Sequence, residues 1–189
     1  MKAAILAGMV TLTACAQTPV NFTEDVTLTA WQTAKAIQSV RFPAASGSGD
    51  LEFCIAKSVS NNSITFADSA DSFFGAYTGT YYQDTDSQTA GGGSIIQHSS
   101  DQGVVALGVT SYEASALVKR FVRFKLTATP GNYEFTDLEQ VQANSGVVPN
   151  TGFTPIGAFS GASPDLAIES LRQISENINA CRNSGTPLI

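Results

Sequence analysis

The chain has 189 residues, 43% hydrophobic and 14% charged, a size and balance that fit one domain whose core is large enough to stand without help. Its 16 acidic residues against 10 basic ones leave a net charge of −6, which argues against nucleic-acid binding, since that needs a basic face, and against adhesion to anionic lipid. A lone histidine excludes the usual multi-histidine zinc sites, and no catalytic, metal or cofactor-binding residue is assigned from the sequence.

The chain opens on Met1-Lys2, an apolar run from Ala3 to Val10, and then Leu12-Thr13-Ala14-Cys15. A single charge, a short apolar core and a small residue before the break are the anatomy of a cleaved export signal, too short to span a bilayer. The L-T-A-C tetrapeptide resembles the lipobox of bacterial lipoproteins. That resemblance implies a signal peptide over 1–14 and a mature chain beginning at Cys15, which carries a thioether-linked diacylglycerol and an acylated amine. At about 0.8 kcal/mol per buried methylene, such chains anchor a protein firmly. The plain alternative is an ordinary secretory signal with a coincidental cysteine. Ala16 after the cysteine, with no aspartate there, is similar to the pattern sorted to the outer membrane, so a lipid-anchored protein facing the periplasm is expected. Residues 15–22 read as a tether, of which the stretch after Cys15 reaches ~25 Å when extended, leaving 23–189 as the globular domain. The acyl anchor is then the expected membrane contact.

With Cys15 given to lipid, Cys54 and Cys181 remain in a compartment where disulfides form, and the pair is expected to be bonded. Closing a loop of that length contributes about 4 to 5 kcal/mol in the chain-entropy account, the alternative being two buried free thiols.

In chain order, Thr29 and Gln32 have the spacing of a capping box, and Ala30, Trp31, Ala34, Ile37 and Val40 follow on one side of an expected helix ending at Arg41-Phe42-Pro43. Trp31 would dock that helix on a sheet. Residues 44–49 (A-A-S-G-S-G) read as a flexible loop, and Leu51 to Val59 alternates as a central strand carrying Cys54. After a short strand over Ile64 to Phe66, the aromatic stretch Ser72 to Gln83 reads as one strand with Phe73, Tyr77 and Tyr81 on a single face. Such a ladder packs a sheet more often than it binds a ligand, but it is the candidate glycan or small-ligand surface.

Asp84 to Ser94 is polar and glycine-rich. It lacks the glutamate and placed glycine of a calcium loop and the lysine and threonine of a phosphate loop, so a mobile tip is expected. Strands resume over Ser94 to His98 and Gly103 to Ser111. His98 beside Ser99, Ser100 and Asp101 invites a hydrolase reading, but adjacent residues on one strand end do not form a triad, and a solvated turn histidine is the simpler account.

The clearest motif is a hairpin: Leu117 to Ala128, a Thr129-Pro130-Gly131-Asn132 turn of type II pattern, and Tyr133 to Val141. Pairing Ala128 with Tyr133 sets Leu126 against Phe135 and Phe124 against Asp137, with Phe124, Leu126, Tyr133 and Phe135 on one face. The other face would carry Lys119, Arg123 and Lys125 with Glu134, Leu138 and Gln140. Lys119, Arg120, Arg123 and Lys125 form the candidate partner-binding cluster, with cross-strand pairing to Glu134 and Glu139 as the bland account. The tryptophan-bearing segment, the G-G-G-S-I-I strand, the basic strand and G-N-Y-E-F-T-D-L-E are together similar to a family of uncharacterised exported bacterial proteins. Over Thr29 to Val141 that resemblance implies a TATA-binding-protein-like fold, a curved antiparallel sheet with helices on one face. It offers no catalytic residues to carry over.

Ala143 to Ala162 is a long connection, pinned by Phe153, Ile156 and Phe159 and a candidate contact surface. A final helix starts with Ser163 as cap and Pro164 at its first position, and Ala167, Leu171, Ile174, Ile178 and Cys181 form its apolar stripe opposite Glu169, Arg172, Gln173 and Glu176. The expected architecture is α+β, an antiparallel meander sheet with N-terminal and C-terminal helices on one face. The expected role is non-enzymatic: an envelope lipoprotein that binds a partner protein or serves an assembly through the basic strand, the Gly-rich loop and the long connection, with a ligand or glycan carrier as the alternative and an envelope hydrolase as a remote one.

Overall fold

A computed structural model describes residues 20–22 and 25–184, so the signal segment and Cys15 lie outside the described residues. In chain order the elements are β1 Asp25–Trp31, β2 Ala34–Pro43, α1 Leu51–Ser58, β3 Ile64–Asp68, β4 Phe73–Gly75, β5 Thr80–Tyr82 and β6 Asp86–Ala90. There follow β7 Ile96–Ser100, β8 Gly103–Ser115, β9 Val118–Thr129, β10 Asn132–Gln142, β11 Thr154–Pro155, a 3-10 turn Ser160–Ala162 and α2 Pro164–Asn183. Six strands run β1-β2-β10-β9-β8-β7, and β11 on β10 completes a 7-stranded antiparallel sheet. The architecture is α+β, with α1 and α2 on what we call the inner face.

The helix expected over 29–40 is a hairpin of β1 and β2, closed at Trp31 and Ala34 with Gln32 at φ 51°. Its helical spacing has a specific origin. Leu28 pairs with Ile37 and Thr27 with Ser39, so Gln38 is an extra bulged residue. The bulge lets Ile37 and Val40, three apart, both reach the core, imitating a helical face. Trp31 sits half-buried at the turn, not between layers. Of the stretch read as a tether, the described end touches the domain: Val20 donates to the Ala158 carbonyl at 3.4 Å and Phe22 packs against the core.

Cys54 lies on a helix, not on a central strand. Asp50 caps α1 by accepting from the Phe53 amide at 2.6 Å, Glu52 and Lys57 sit at the dipole-favoured ends, and Cys54 and Ile55 face inward. The Cys54–Cys181 bond, Cα atoms 5.6 Å apart, joins α1 to α2. The loop before α1 is strapped down as well: the Arg182 guanidinium donates to the carbonyls of Ala45 at 2.6 Å and Gly47 at 2.9 Å. A Cβ on Gly47 would fall 2.6 Å from the Arg182 carbonyl carbon, which is why glycine stands there.

The β9–β10 hairpin has the expected register at Ala128 with Tyr133 and Leu126 with Phe135, and Gly131 takes φ 96° in the turn. Beyond Thr136 it departs. Asp137, at φ 52°, and Leu138 together oppose Phe124, so Leu138 and Gln140 turn inward instead of joining Lys119 and Arg123. The long connection is not structureless. Its β11 pairs with Glu139 and Gln140, Ile156 and Ala158 bond to Ile37 and Lys35, and the segment fills the gap where β2 and β10 diverge.

The stripe Ala167, Leu171, Ile174, Ile178 and Cys181 is buried on the inner face, where Phe135 meets Phe42 and Phe124 edge-on at 5.8 and 5.3 Å. Ser163 precedes α2 in the left-handed region without a side-chain cap bond, contrary to the capping expected of it. Gly108 on β8 leaves room for Phe124 and Val59, whose nearest carbons would lie 2.5 Å from an added Cβ. Gly108→Ala should therefore destabilise by about 1–3 kcal/mol through overpacking, read from the urea midpoint, and a neutral result would mean the Phe124 ring has room to move.

Candidate functional site

The outer face of the sheet is only partly covered. Ile64 and Phe66 of β3 lie with Val141, Phe121, Val109, Ala90 and Phe153 in a second, smaller core beneath the two-stranded β3–β6 sheet. The run expected to be a mobile tip thus contains β6, paired residue for residue with β3. Asp68 fixes the loop beside it, accepting from the amides of Ala70 at 3.0 Å and Asn150 at 2.8 Å. Those two backbone bonds, the Asn150 one foremost, hold its carboxyl below the usual carboxylate range.

Next to this core lies a cleft of about 330 Å³. Leu107 and Val109 of β8 and Arg123 and Lys125 of β9 line it, with Asp137 and Glu139 along β10. Gly91 and Gly92, at φ 87° and 88°, bring the Gly-rich loop to one side together with Asn61, and Phe153 of the long connection stands at another. Arg123 pairs with Glu139 and stacks its guanidinium 4.4 Å from the Phe153 ring centre. Lys125 makes no ion pair among the described residues. The cleft therefore offers the Arg123–Glu139 pair, the Lys125 ammonium, the Asp137 carboxylate and apolar walls.

Strand parity divides the basic cluster. Lys119, Arg123 and Lys125 face outward, and the Lys119 ammonium lies 5.3 Å from the Phe121 ring centre. Arg120 faces inward and is removed from any docking surface: it donates to the carbonyls of Ala162 at 2.6 Å and Gly161 at 3.2 Å. Gln140 donates to the same Ala162 oxygen at 3.3 Å, and Tyr112 donates to Gln140 at 2.7 Å. Burial pushes the Tyr112 phenol above its ordinary value, and this network fixes the turn that launches α2. Glu139 pairs within the cluster as expected, whereas Glu134 goes to Arg41 at 2.7 Å.

The aromatic ladder is not a ladder. Residues 72–83 fold into the β4–β5 hairpin, in which Phe73 opposes Tyr82 and Phe74 opposes Tyr81, so Phe73 and Tyr81 point to opposite faces and Tyr77 sits in the turn. Phe73 and Tyr82 stack at 5.0 Å, yet all these rings are exposed. His98 lies exposed on edge strand β7. Among the described residues, no group of histidine, cysteine, aspartate and glutamate could hold a metal ion. Sequence reasoning missed Leu107, Asn61 and Asp137 as cleft residues; Asp137 carried no local signal, since a bulge has none in a single sequence. No protein-family model, no curated protein and no solved structure matches this chain.

Proposed function

We propose that this protein is a lipid-anchored component of the cell envelope, held by Cys15 at the outer membrane, that binds a segment of a partner protein in the outer-face cleft. One observation carries the reading: the basic strand, the Gly-rich loop and the long connection, far apart in sequence, converge on that cleft through Lys125, Gly91 and Gly92, and Phe153. A carboxylate of the partner matches Lys125, and an apolar side chain matches Leu107 and Phe153. A photo-reactive benzoyl-phenylalanine at position 107 should give one defined envelope adduct in living cells. Lys125→Glu should abolish it while moving stability by no more than about 1 kcal/mol, since the lysine has no ion pair to lose. An adduct that survives Lys125→Glu would remove the cleft from the proposal.

The cleft volume of about 330 Å³ also falls at the small end of ligand pockets, which favours a small-ligand carrier as a second reading. Native mass spectrometry of the purified protein distinguishes the two by a bound small molecule that Lys125→Glu releases.

A further inference from the structure

Eight of the eleven exposed large apolar side chains among the described residues are gathered at one end of the sheet, the others being Phe53 on α1, Leu107 in the cleft and Leu166 on α2. Ladder partners define that end: the β1–β2 turn closes at Trp31 and Ala34, the β8–β9 turn at Ser115 and Val118, and β10 finishes where Gln142 meets Arg120. Leu117, at the β8–β9 turn, is 94% exposed. Lys119 accepts from Ala143, Ala143 from Ala67, and Gly146 from Ser69, so the exit from β3 and the loop bearing exposed Val147 and Val148 lie there too. The β4–β5 hairpin grows out of that exit with Phe73, Phe74, Tyr81 and Tyr82 exposed and Tyr77 at its tip 105% exposed. A two-stranded hairpin of this size has no core of its own for five rings to fill.

The chain also arrives here. Val20 bonds to Ala158 and Ala158 to Lys35, beside the β1–β2 turn, and the stretch from Cys15 to Val20 reaches at most about 18 Å. Residues 69–86 contain no lysine or arginine but do contain Asp71, Asp84 and Asp86, so the hairpin itself gains nothing from anionic headgroups. Tyrosine and phenylalanine favour the boundary between headgroups and acyl chains, where a ring is apolar and a phenol stays wet.

We propose that this end is a second membrane contact: the aromatic hairpin and the Leu117 and Val147-Val148 tips seat in the lipid interface around the anchor. The anchor then does not leave the domain free to tumble, and the docked end fixes how the cleft is presented. The proposal rests on the reading of Cys15 as the lipidated residue, and its test separates the two. Trp31, the single tryptophan, sits half-exposed at the same end and reports contact.

The processed protein is reconstituted in phosphatidylcholine vesicles with or without brominated acyl chains. Mass spectrometry of the Cys15 peptide and co-sedimentation read the anchor; quenching of Trp31 by the brominated lipid reads docking. Docking predicts quenching in the wild type, insensitive to added salt, and its loss in a Phe73→Ser, Phe74→Ser, Tyr81→Ser, Tyr82→Ser variant that still sediments. A Leu117→Ser, Val147→Ser, Val148→Ser variant, which leaves the hairpin intact, should weaken quenching independently. A wild type that sediments with unquenched Trp31 overturns the proposal, as does a hairpin that instead mediates self-association or protein contact with Trp31 unquenched. If Cys15 bears no lipid, the anchor reading fails alone, and docking stands or falls on whether excess brominated vesicles still quench Trp31.

Discussion

Replacing both bridging cysteines, Cys54→Ala with Cys181→Ala, is expected to cost about 5 kcal/mol, because the bond closes a loop of 127 residues in the unfolded chain. That is a large share of the ~5–15 kcal/mol by which domains are normally stable. The loss should begin locally. Helix α1 has 8 residues, well under the ~12–15 at which an isolated helix becomes even marginal, and it owes its place to the Asp50 cap, the buried Ile55 and the bond to α2. Amides of 51–58 should therefore exchange much faster in the variant than those of β9 and β10, and the urea midpoint should fall with little change in slope. A variant within about 1 kcal/mol of wild type would mean that the unfolded chain already holds its two ends together without the bond.

What could be read in advance followed the range over which each signal acts. The β9–β10 hairpin and α2 announce themselves locally, the first by Pro130-Gly131 between alternating apolar residues, the second by Pro164 and a stripe of period near 3.6. The cysteine pairing followed from elimination and the position of Cys181 on that stripe. The N-terminal third went wrong in both directions for the same reason: local periodicity was overruled by tertiary context. A bulge at Gln38 gave β2 a helical spacing, while the short α1 showed alternation at Phe53 and Ile55 that outweighed the helix signals of Asp50, Glu52 and Lys57. The cleft was legible only as parts. Its three contributing segments were singled out, but the residues between them, Leu107 above all, come together through strand pairing that no local pattern encodes. Parity alone could have removed Arg120 from the basic cluster, since an even-numbered residue between odd-numbered neighbours must face the other way.

Phe135→Ala is expected to be the costliest substitution of a single side chain, at about 3–5 kcal/mol. Phe135 is fully buried on β10, the strand held by β2 on one side and β9 on the other, and its ring is the hub between Phe42 and Phe124. Neither neighbour can swing in to fill the space, because Phe42 and Phe124 are themselves fixed on paired strands and Phe124 is pressed against the site of Gly108. The cavity should stay open and the full truncation cost should appear in the urea midpoint. Phe74→Ala supplies the contrast: the same chemical deletion on the β4–β5 hairpin removes a side chain 64% exposed, and a change within about 0.5 kcal/mol is expected. If both changes cost several kcal/mol, the hairpin rings serve the fold and are not free to meet a membrane. A large loss at Phe135 with none at Phe74 leaves the exposed rings without a folding role, which is the condition under which they persist for contact with something outside the chain.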